Sequence, residues 1–439
     1  MILQFFQSLM MSIDATTMKQ IRYFLVIVSC LLLFQFEIAF AQQVTETTML
    51  VKAKVIADET GDALEYASVT INNTNISTVT NQDGFFSLRI PSSARNYNLK
   101  VQHLGYDNIT VPVITLIDKE DNILRMRTAS IRLSEIEIVS GDGTELVKEA
   151  LRSVGNNYDN DPNMMVAFYR ESIKKGSNYI SLVEAVLDVY KESYTSYKHD
   201  QARIYIGRKA TDINPKDTIF MKFQGGISDA LRLDNAKHPE VVFGENVSEY
   251  IFNIESVITI DDRPHYVINF FPFIGVTDIL FRGKIFLDVE SLAFKRIEFN
   301  MNVEDRKNAA SIFIRKKPSS MRVTAEGAKY VVDYVENNGK WYFNYSSTEV
   351  KFKVRWKRRF FGLFASTYTI FSEMAITDRY EDDVRKFPRK ERIRSTDVIA
   401  EKVEHFQDPD FWGNYTVIEP DKEITNAIKR LSGKLQRRD

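Results

Sequence analysis

The sequence is poor in the residues that thiol and metal chemistry need. Its 439 residues include one cysteine, Cys30, and five histidines. No histidine has another three or four positions away, so the spacing typical of a zinc site is missing. Cys30 lies in an N-terminal apolar run that we expect to be removed. Its loss excludes disulfides, thiol catalysis and zinc–thiolate sites from the mature chain.

An excess of charge of one sign is also missing. The net charge is −1 and the isoelectric point is about 6.6. No overall field therefore favours nucleic acid, which we do not expect as a partner, and any electrostatic partner must be recognised locally. Hydrophobic residues make up 44% of the chain and aromatic residues 12%, which is enough to fill the cores of two or three domains.

Long hydrophobic runs are absent as well. The apolar run from Tyr23 to Phe34 has 12 residues, whereas a spanning helix needs about 20. A short positive segment beginning at Met18 precedes this run, and Ala39-Phe40-Ala41 supplies a small-x-small cleavage pattern after it. We predict a signal peptide over residues 1–41, with Met18 as the true start. The protein is then exported, to the periplasm or the outer membrane of a Gram-negative bacterium.

Cys30 leaves one alternative for this segment. The residues from Ile27 to Cys30 resemble a lipobox, which would leave Cys30 lipidated. The apolar run continues past Cys30 through Phe34, where a lipoprotein normally turns polar. A cleaved signal is therefore the favoured interpretation.

Catalytic motifs are also lacking. The chain has no H-E-x-x-H, no phosphate-binding loop and no dinucleotide fingerprint. Residues 226–230 come close to a nucleophile elbow, but the required α/β alternation is absent, and we interpret them as part of a flexible loop. We expect no enzyme activity and no cofactor. An uncharacterised hydrolase with its site in the C-terminal part of the chain is the alternative.

What the sequence does contain is a series of short strands. Apolar and polar residues alternate in segments separated by turns every 8 to 12 residues, which is typical of a β-sandwich. The clearest turn is Asp83-Gly84, within the hairpin from Thr80 to Pro91, where Gly84 is expected to take a positive φ. The predicted strands are 49–57, 66–71, 77–80, 85–90, 97–103, 109–115 and 123–133.

These strands carry a family resemblance. Thr60-Gly61, Ala67–Ile71, Asp83–Phe86 and Gly105-Tyr106 stand where the carboxypeptidase regulatory-like domain has its motifs, and the segment resembles that family. The resemblance implies a seven-stranded, prealbumin-like or immunoglobulin-like sandwich, which we place at residues 47–134. This domain is not catalytic, so carboxypeptidase activity is not expected. It also occurs on TonB-dependent receptors and in many exported bacterial proteins.

The remaining residues, 135–439, are predicted to form a β-rich domain of unknown function. A helix is expected near residues 146–154 and another after Pro420. Strands at 165–173 and 179–190 precede four hairpins, at 250–271, 284–301, 329–345 and 348–377, which together imply a large antiparallel sheet. The hairpin from Gly283 to Ile297 is similar to the curved sheets of periplasmic lipoprotein carriers, so a curved sheet is one expectation.

The most unusual stretch is a run of alternating cations and apolar residues followed by aromatics. As a strand it would carry one basic face, which either meets an anionic membrane surface or partner, or pairs with acidic neighbours within the fold. We predict a membrane or partner surface here, in a non-enzymatic envelope module that binds a partner protein, a lipid or a glycan. The residues of this surface are Lys351, Lys353, Arg355, Lys357, Arg358, Arg359, Phe360, Phe361, Leu363 and Phe364.

One modification is also predicted for an exported chain. Asp217-Thr218-Ile219 resembles the Asp-Ser/Thr-apolar acceptor of bacterial O-glycosylation. Intact mass of the native protein would test whether Thr218 carries a sugar.

Overall fold

The computed structural model describes the chain from residue 48 onward with some gaps. The described ranges are 48–117, 119, 121–129, 141–211, 222–223, 226–244, 247–273, 280–301, 306–316, 319, 321–356, 365–405 and 411–435. The predicted signal peptide, Cys30 and Thr218 lie outside these residues. So do seven residues of the predicted surface, from Lys357 to Phe364.

The first described region is a sandwich of seven strands, as predicted. A three-stranded sheet of order β4-β1-β7 faces a four-stranded sheet of order β3-β2-β5-β6. Buried apolar side chains from both sheets, such as Val51 and Val101, fill the space between them. The strands are β1 (Thr48–Ala57), β2 (Ser68–Ile71), β3 (Ser77–Val79), β4 (Phe85–Pro91), β5 (Asn98–Gln102), β6 (Ile109–Pro112) and β7 (Ile123–Met126).

The turn before β4 requires glycine at Gly84, as expected. Its φ is +80°, which side chains other than glycine rarely adopt. A Cβ at this position would also lie 2.5 Å from the carbonyl oxygen of Val55. Glycine is therefore required at this position for two reasons, the positive φ of the turn and the close approach of the turn to β1.

The second region is one large sheet. In the part of the chain that the structure describes, it has twelve strands in the order β21-β11-β10-β9-β20-β19-β18-β16-β15-β14-β13-β8, all antiparallel except that β21 runs parallel to β11. Its edge strands within the described residues are β21 and β8, and the sheet is open and uncurled, unlike the curved sheet that the carrier-like hairpin suggested. The strands are β8 (Gly141–Asp142), β9 (Asn163–Lys175), β10 (Asn178–Lys191), β11 (Gln201–Thr211), β13 (Tyr250–Ile260), β14 (Arg263–Pro272), β15 (Phe281–Asp288), β16 (Phe294–Met301), β18 (Met321–Asn337), β19 (Lys340–Trp356), β20 (Ala365–Tyr380) and β21 (Glu404–His405); β12 (Lys222–Phe223) and β17 (Ile314–Lys316) pair separately.

The predicted hairpins are present, but two of them share a strand. β19 is continuous over 17 residues, so it pairs with β18 on one side and with β20 on the other. β20 then pairs with β9, far earlier in the chain, which joins the first strands of the sheet to the last. This long-range pairing places both halves of the region in one sheet.

The two faces of the sheet are covered differently. The inner face packs against helices and forms the main apolar core, to which α1, α3, α4 and α5 contribute Val147, Ile227, Phe243 and Ala309. On the other side, α6 packs on Tyr179 and Leu182 of β10. The helices are α1 (Thr144–Arg152), α2 (Val154–Asn157), α3 (Gly226–Arg232), α4 (Glu240–Phe243), α5 (Arg306–Phe313) and α6 (Lys422–Leu435). Among the described residues, none of these helices combines the length and the apolar character needed to span a membrane.

Candidate functional site

The sandwich lies on the outer face of the large sheet. Ser77 of β3 donates a hydrogen bond to the carbonyl oxygen of Ile376 at 2.6 Å, and the ring of Tyr66 lies 5.5 Å from that of Tyr345 on β19. The hairpin turn at Asp83 also contacts the start of α6, where its carboxylate accepts the Lys422 N–H at 2.8 Å. The outer face therefore has a part that the sandwich and the C-terminal segment cover, and a part beyond them.

A buried ion network lies under the covered part. Arg170 of β9 is 1% exposed and donates to Glu184 of β10 at 2.8 Å and to Glu373 of β20 at 3.1 Å. It also donates to the carbonyl oxygen of Ile418 at 2.7 Å. Arg208 of β11 donates to the second oxygen of Glu184 at 2.8 Å. Four neighbouring strands and the C-terminal segment are thus joined by one set of charges.

The two carboxyls of this network differ. Burial alone would raise both pKa values, but Arg170 and Arg208 together bring the pKa of Glu184 below its ordinary value. Among the described residues, Arg170 is the one cationic partner of Glu373, and burial keeps the pKa of Glu373 raised. The charged form is therefore stabilised at Glu184 and disfavoured at Glu373.

A cavity of about 330 Å³ adjoins this network, between the sandwich, the sheet and α6. Two carboxyls with pKa values raised by burial line it, Glu373 and Asp421. Such a pair is what the hydrolase alternative needs. However, the oxygens of Glu373 are bonded to Arg170 and Tyr345, and an oxygen of Asp421 accepts the Ile424 N–H at 2.7 Å at the start of α6. Both carboxyls therefore make contacts that hold the fold together.

The predicted basic strand lies on the uncovered part of the outer face. The side chains of β19 alternate as expected: Phe352 and Val354 are buried in the inner core, while Lys351 and Arg355 are exposed. Lys351 pairs with Glu349 at 3.1 Å, and Lys353 pairs with Glu326 at 3.7 Å. The strand is thus basic on one face, and two of its cations have acidic neighbours within the fold.

The sequence did not reveal that Arg355 faces a second arginine. Arg322 of β18 is the direct partner of Arg355 in the sheet, and both are exposed on the outer face. Neither has an ion-pair partner among the described residues. Directly opposed like charges destabilise a sheet, so this pair needs a reason other than the stability of the fold.

Other cations extend this surface, which we call the basic face. Arg282 of β15 and Lys329 of β18 lie on the same side of the sheet, because Arg282 pairs with Asn300 and Asn300 pairs with Lys329. The basic face comprises Arg282, Arg322, Lys329, Lys351, Lys353 and Arg355, with Glu326 and Glu349 as the acidic residues among them. It begins at the edge of the covered part, because Lys329 and Glu349 also line the cavity beside the sandwich.

Two aromatic side chains project at the same end of the sheet as Arg322 and Arg355. Phe271, on the outer face of β14, is 38% exposed, and Phe273, just after this strand, is 48% exposed. Exposed phenylalanines beside cations suit the boundary between lipid and water. The exposure of these two side chains was not predicted from the sequence, because strands rich in phenylalanine are usually buried.

The rejected catalytic candidates occupy ordinary positions. Residues 226–230 begin α3, so the flexible loop expected there was wrong for the described residues. His265 is buried and contacts the carbonyl oxygen of Arg263 at 2.9 Å. Within the part of the chain that the structure describes, no group of His, Cys, Asp or Glu side chains converges as a metal site would require.

Comparison with known proteins identifies the N-terminal region. Residues 51–138 match the family model described as CarboxypepD_reg-like domain. This match confirms the resemblance predicted from the motifs and agrees with the seven-stranded sandwich. No curated protein matches this chain.

Solved structures similar to the chain are remote. A DUF1329 family protein from Desulfovibrio piger is 13% identical with a TM-score of 0.23, and the match covers 56% of this chain and 93% of that one. MucB is 12% identical with a TM-score of 0.19, covering 54% and 96%. MucB in complex with MucA(peri) is 11% identical with a TM-score of 0.17, covering 53% and 94%.

Proposed function

We propose that this protein is a non-enzymatic module of the bacterial cell envelope, which docks through its basic face on a membrane surface rich in phosphate-bearing lipids. The observation that carries the proposal is the pair formed by Arg322 and Arg355, which lie directly opposite each other and exposed. An anionic surface would relieve the repulsion that the fold itself leaves in place.

The surroundings of this pair support a membrane rather than an acidic protein. A lipid surface offers phosphates over a broad area, which suits cations spread over neighbouring strands. The exposed Phe271 and Phe273 add apolar surface at the same end of the sheet. Each basic residue near an anionic membrane is worth about 1 kcal/mol, so a face of this kind holds a protein at the surface without a spanning segment.

Export is part of the proposal. The predicted signal peptide would deliver the chain to the envelope, and the CarboxypepD_reg-like domain contributes a folded support for the sheet. Hydrolysis is the alternative that the sequence leaves open, and the structural contacts of Glu373 and Asp421 speak for binding instead.

Vesicle co-sedimentation tests the proposal. The chain starting at Gln42, after the predicted cleavage site, is mixed with vesicles of phosphatidylglycerol or of phosphatidylcholine alone. We expect pelleting with phosphatidylglycerol, release by high salt and no pelleting with phosphatidylcholine. Equal recovery with both lipids would contradict the role of charge. If the protein pelleted with neither lipid, membrane binding would be contradicted, and an acidic protein would be the partner to test next.

A further inference from the structure

A second cavity, of about 350 Å³, lies at the other end of the junction between sandwich and sheet. The β2–β3 turn and β5 of the sandwich form one wall, and the ends of β18 and β20 form the other. We call it the Asn-lined cavity, because seven asparagines contribute to its lining: Asn72, Asn73, Asn75, Asn96, Asn98, Asn337 and Asn344. Its volume falls within the range of about 300–1,000 Å³ usual for small-molecule sites.

Its wall contains a buried arginine that forms no ion pair with the residues that the structure describes. Arg379 of β20 is 8% exposed, lies 3.8 Å from the ring centre of Tyr342, and donates to the carbonyl oxygen of Phe343 at 3.4 Å. Among the described residues, no carboxylate lies within ion-pair distance of it. Within the described ranges two other arginines are buried to this degree, Arg170 and Arg208, and both have carboxylate partners.

This difference needs a physical explanation. Removing a charge from water without a partner costs several kcal/mol, and burial lowers the pKa of the Arg379 guanidinium. A guanidinium has five N–H donors in a planar fork that matches a carboxylate. Stacking on Tyr342 fixes the plane of this fork, which prepares it for a planar anion.

Six of the seven asparagines fall into two groups, and the seventh, Asn344, donates to Ser68 Oγ at 3.3 Å. Asn75 and Asn337 bond to each other at 3.0 Å, and Asn75 also donates to the carbonyl oxygen of Arg379 at 2.8 Å, so they hold the two walls together. In contrast, the side chains of Asn72, Asn73, Asn96 and Asn98 have no hydrogen-bond partner among the described residues. Each of these amides offers both a donor and an acceptor, as sugar hydroxyls require.

The charge of the lining favours an anion. Lys100 of β5 adds a second cation to Arg379. The acidic residue of the lining, Glu336, accepts the Gly339 N–H within its own hairpin turn. The exposed ring of Tyr97 adds a flat apolar surface of the kind on which a sugar ring can lie.

We propose that the Asn-lined cavity binds a short acidic saccharide, with a sugar carboxylate on the Arg379 guanidinium and sugar hydroxyls on the asparagine amides. The site is independent of the basic face, since it uses other residues at another position of the sheet. Binding to vesicles and binding of a soluble sugar can therefore succeed or fail separately.

Isothermal titration with trigalacturonic acid, and with the neutral trisaccharide that lacks the carboxylates, tests this proposal. We expect the acidic sugar to bind at least tenfold more tightly, because a hydrogen-bonded charge pair typically contributes that much. Failure of trigalacturonic acid to bind, or equal affinity for the two sugars, would overturn the proposal.

Variants locate the site. Arg379→Met should abolish the preference for the acidic sugar. Because that buried position could affect folding, Lys100→Met and Asn98→Ala, at less buried positions, provide a second test and should each weaken binding severalfold. Asn300→Ala is the matched control, an exposed asparagine elsewhere on the sheet, and should bind as the wild type does. Unchanged affinity in both Lys100→Met and Asn98→Ala would place the sugar elsewhere and contradict the assignment.

Discussion

The covered and uncovered parts of the outer face use arginine in opposite ways. Under the sandwich and the C-terminal segment, Arg170 and Arg208 are buried and each bonds to Glu184. Beyond them, Arg322 and Arg355 are exposed, and each has the other as its direct neighbour in the sheet. The two pairs lie on the same face of one sheet, but Glu184 lies between Arg170 and Arg208, whereas Arg322 and Arg355 are directly opposed.

The comparison distinguishes arginines that stabilise the fold from arginines that are available to bind a partner. Burying an arginine costs several kcal/mol unless carboxylates compensate for its lost hydration, so the covered pair is explained by the fold alone. An exposed pair of like charges destabilises the sheet, and the proposed membrane surface would compensate for that repulsion. Arg379 fits neither case, because it is buried yet unpaired among the described residues. This exception is the basis for proposing an anionic ligand in the Asn-lined cavity.

The largest effect should come from breaking the covered network. Arg170→Met leaves Glu184 with one cation and Glu373 with none of its charged partners, and we expect a loss of about 3–5 kcal/mol in the free energy of unfolding. Urea denaturation measures it. Arg322→Met on the uncovered part is the matched control, and similar losses in the two variants would contradict the distinction.

Within the covered network, the two carboxyls should not be equivalent. Glu184→Gln removes the anion that two arginines share, so it should cost about 3 kcal/mol at pH 7. Glu373→Gln should cost about 1 kcal/mol or less, because burial already disfavours its charged form. The same denaturation experiment compares them, and the reverse order would show that Glu184 is not the centre of the network.

The pH dependence follows from the lowered pKa of Glu184. Its contribution to stability is complete above the ordinary value of 4.5 and is lost as the pH falls through the lower pKa of the folded protein. For Glu373, whose pKa is raised, the sign is opposite: its contribution is complete below 4.5 and is lost as the pH rises. Glu184→Gln should therefore flatten the loss of stability in acid, as measured by thermal unfolding from pH 6 to pH 3, and an unchanged slope would refute this assignment.

The smallest change in the free energy of unfolding should come from a substitution in the uncovered pair, Arg322 and Arg355. Arg322→Gln removes one of two opposed like charges, so it should leave the free energy of unfolding unchanged or raise it by a few tenths of a kcal/mol. Differential scanning calorimetry at low salt is sensitive enough for this comparison. A loss of more than about 1 kcal/mol would show that Arg322 has a structural partner after all.

Much of the fold was readable from the sequence. Local signals, such as Asp83-Gly84 in the sandwich and the Asn337–Gly339 turn between β18 and β19, predict hairpins because a tight turn dictates its own neighbours. No local signal predicts that β20 pairs with β9, since that contact joins segments about 200 residues apart.

The sites were harder to predict from the sequence, because they too depend on contacts between segments that are far apart in the chain. The basic face of β19 follows from alternation, but the position of Arg322 depends on a register that includes the bulge between Ala325 and Gly327. Arg170 could not be foreseen as buried, because arginine usually lies at the surface. The Asn-lined cavity combines segments that only the docking of the sandwich on the sheet brings together.

The most direct test of the account compares two double variants in binding to phosphatidylglycerol vesicles. Arg322→Gln/Arg355→Gln removes the opposed pair, and Arg95→Gln/Arg125→Gln removes the same charge from exposed positions on the sandwich. We expect the first double variant to weaken binding by about 2 kcal/mol, or roughly 30-fold, and the second to change it by less than about threefold. Equal effects of the two variants would mean that only total charge matters, and the basic face would lose its assigned role.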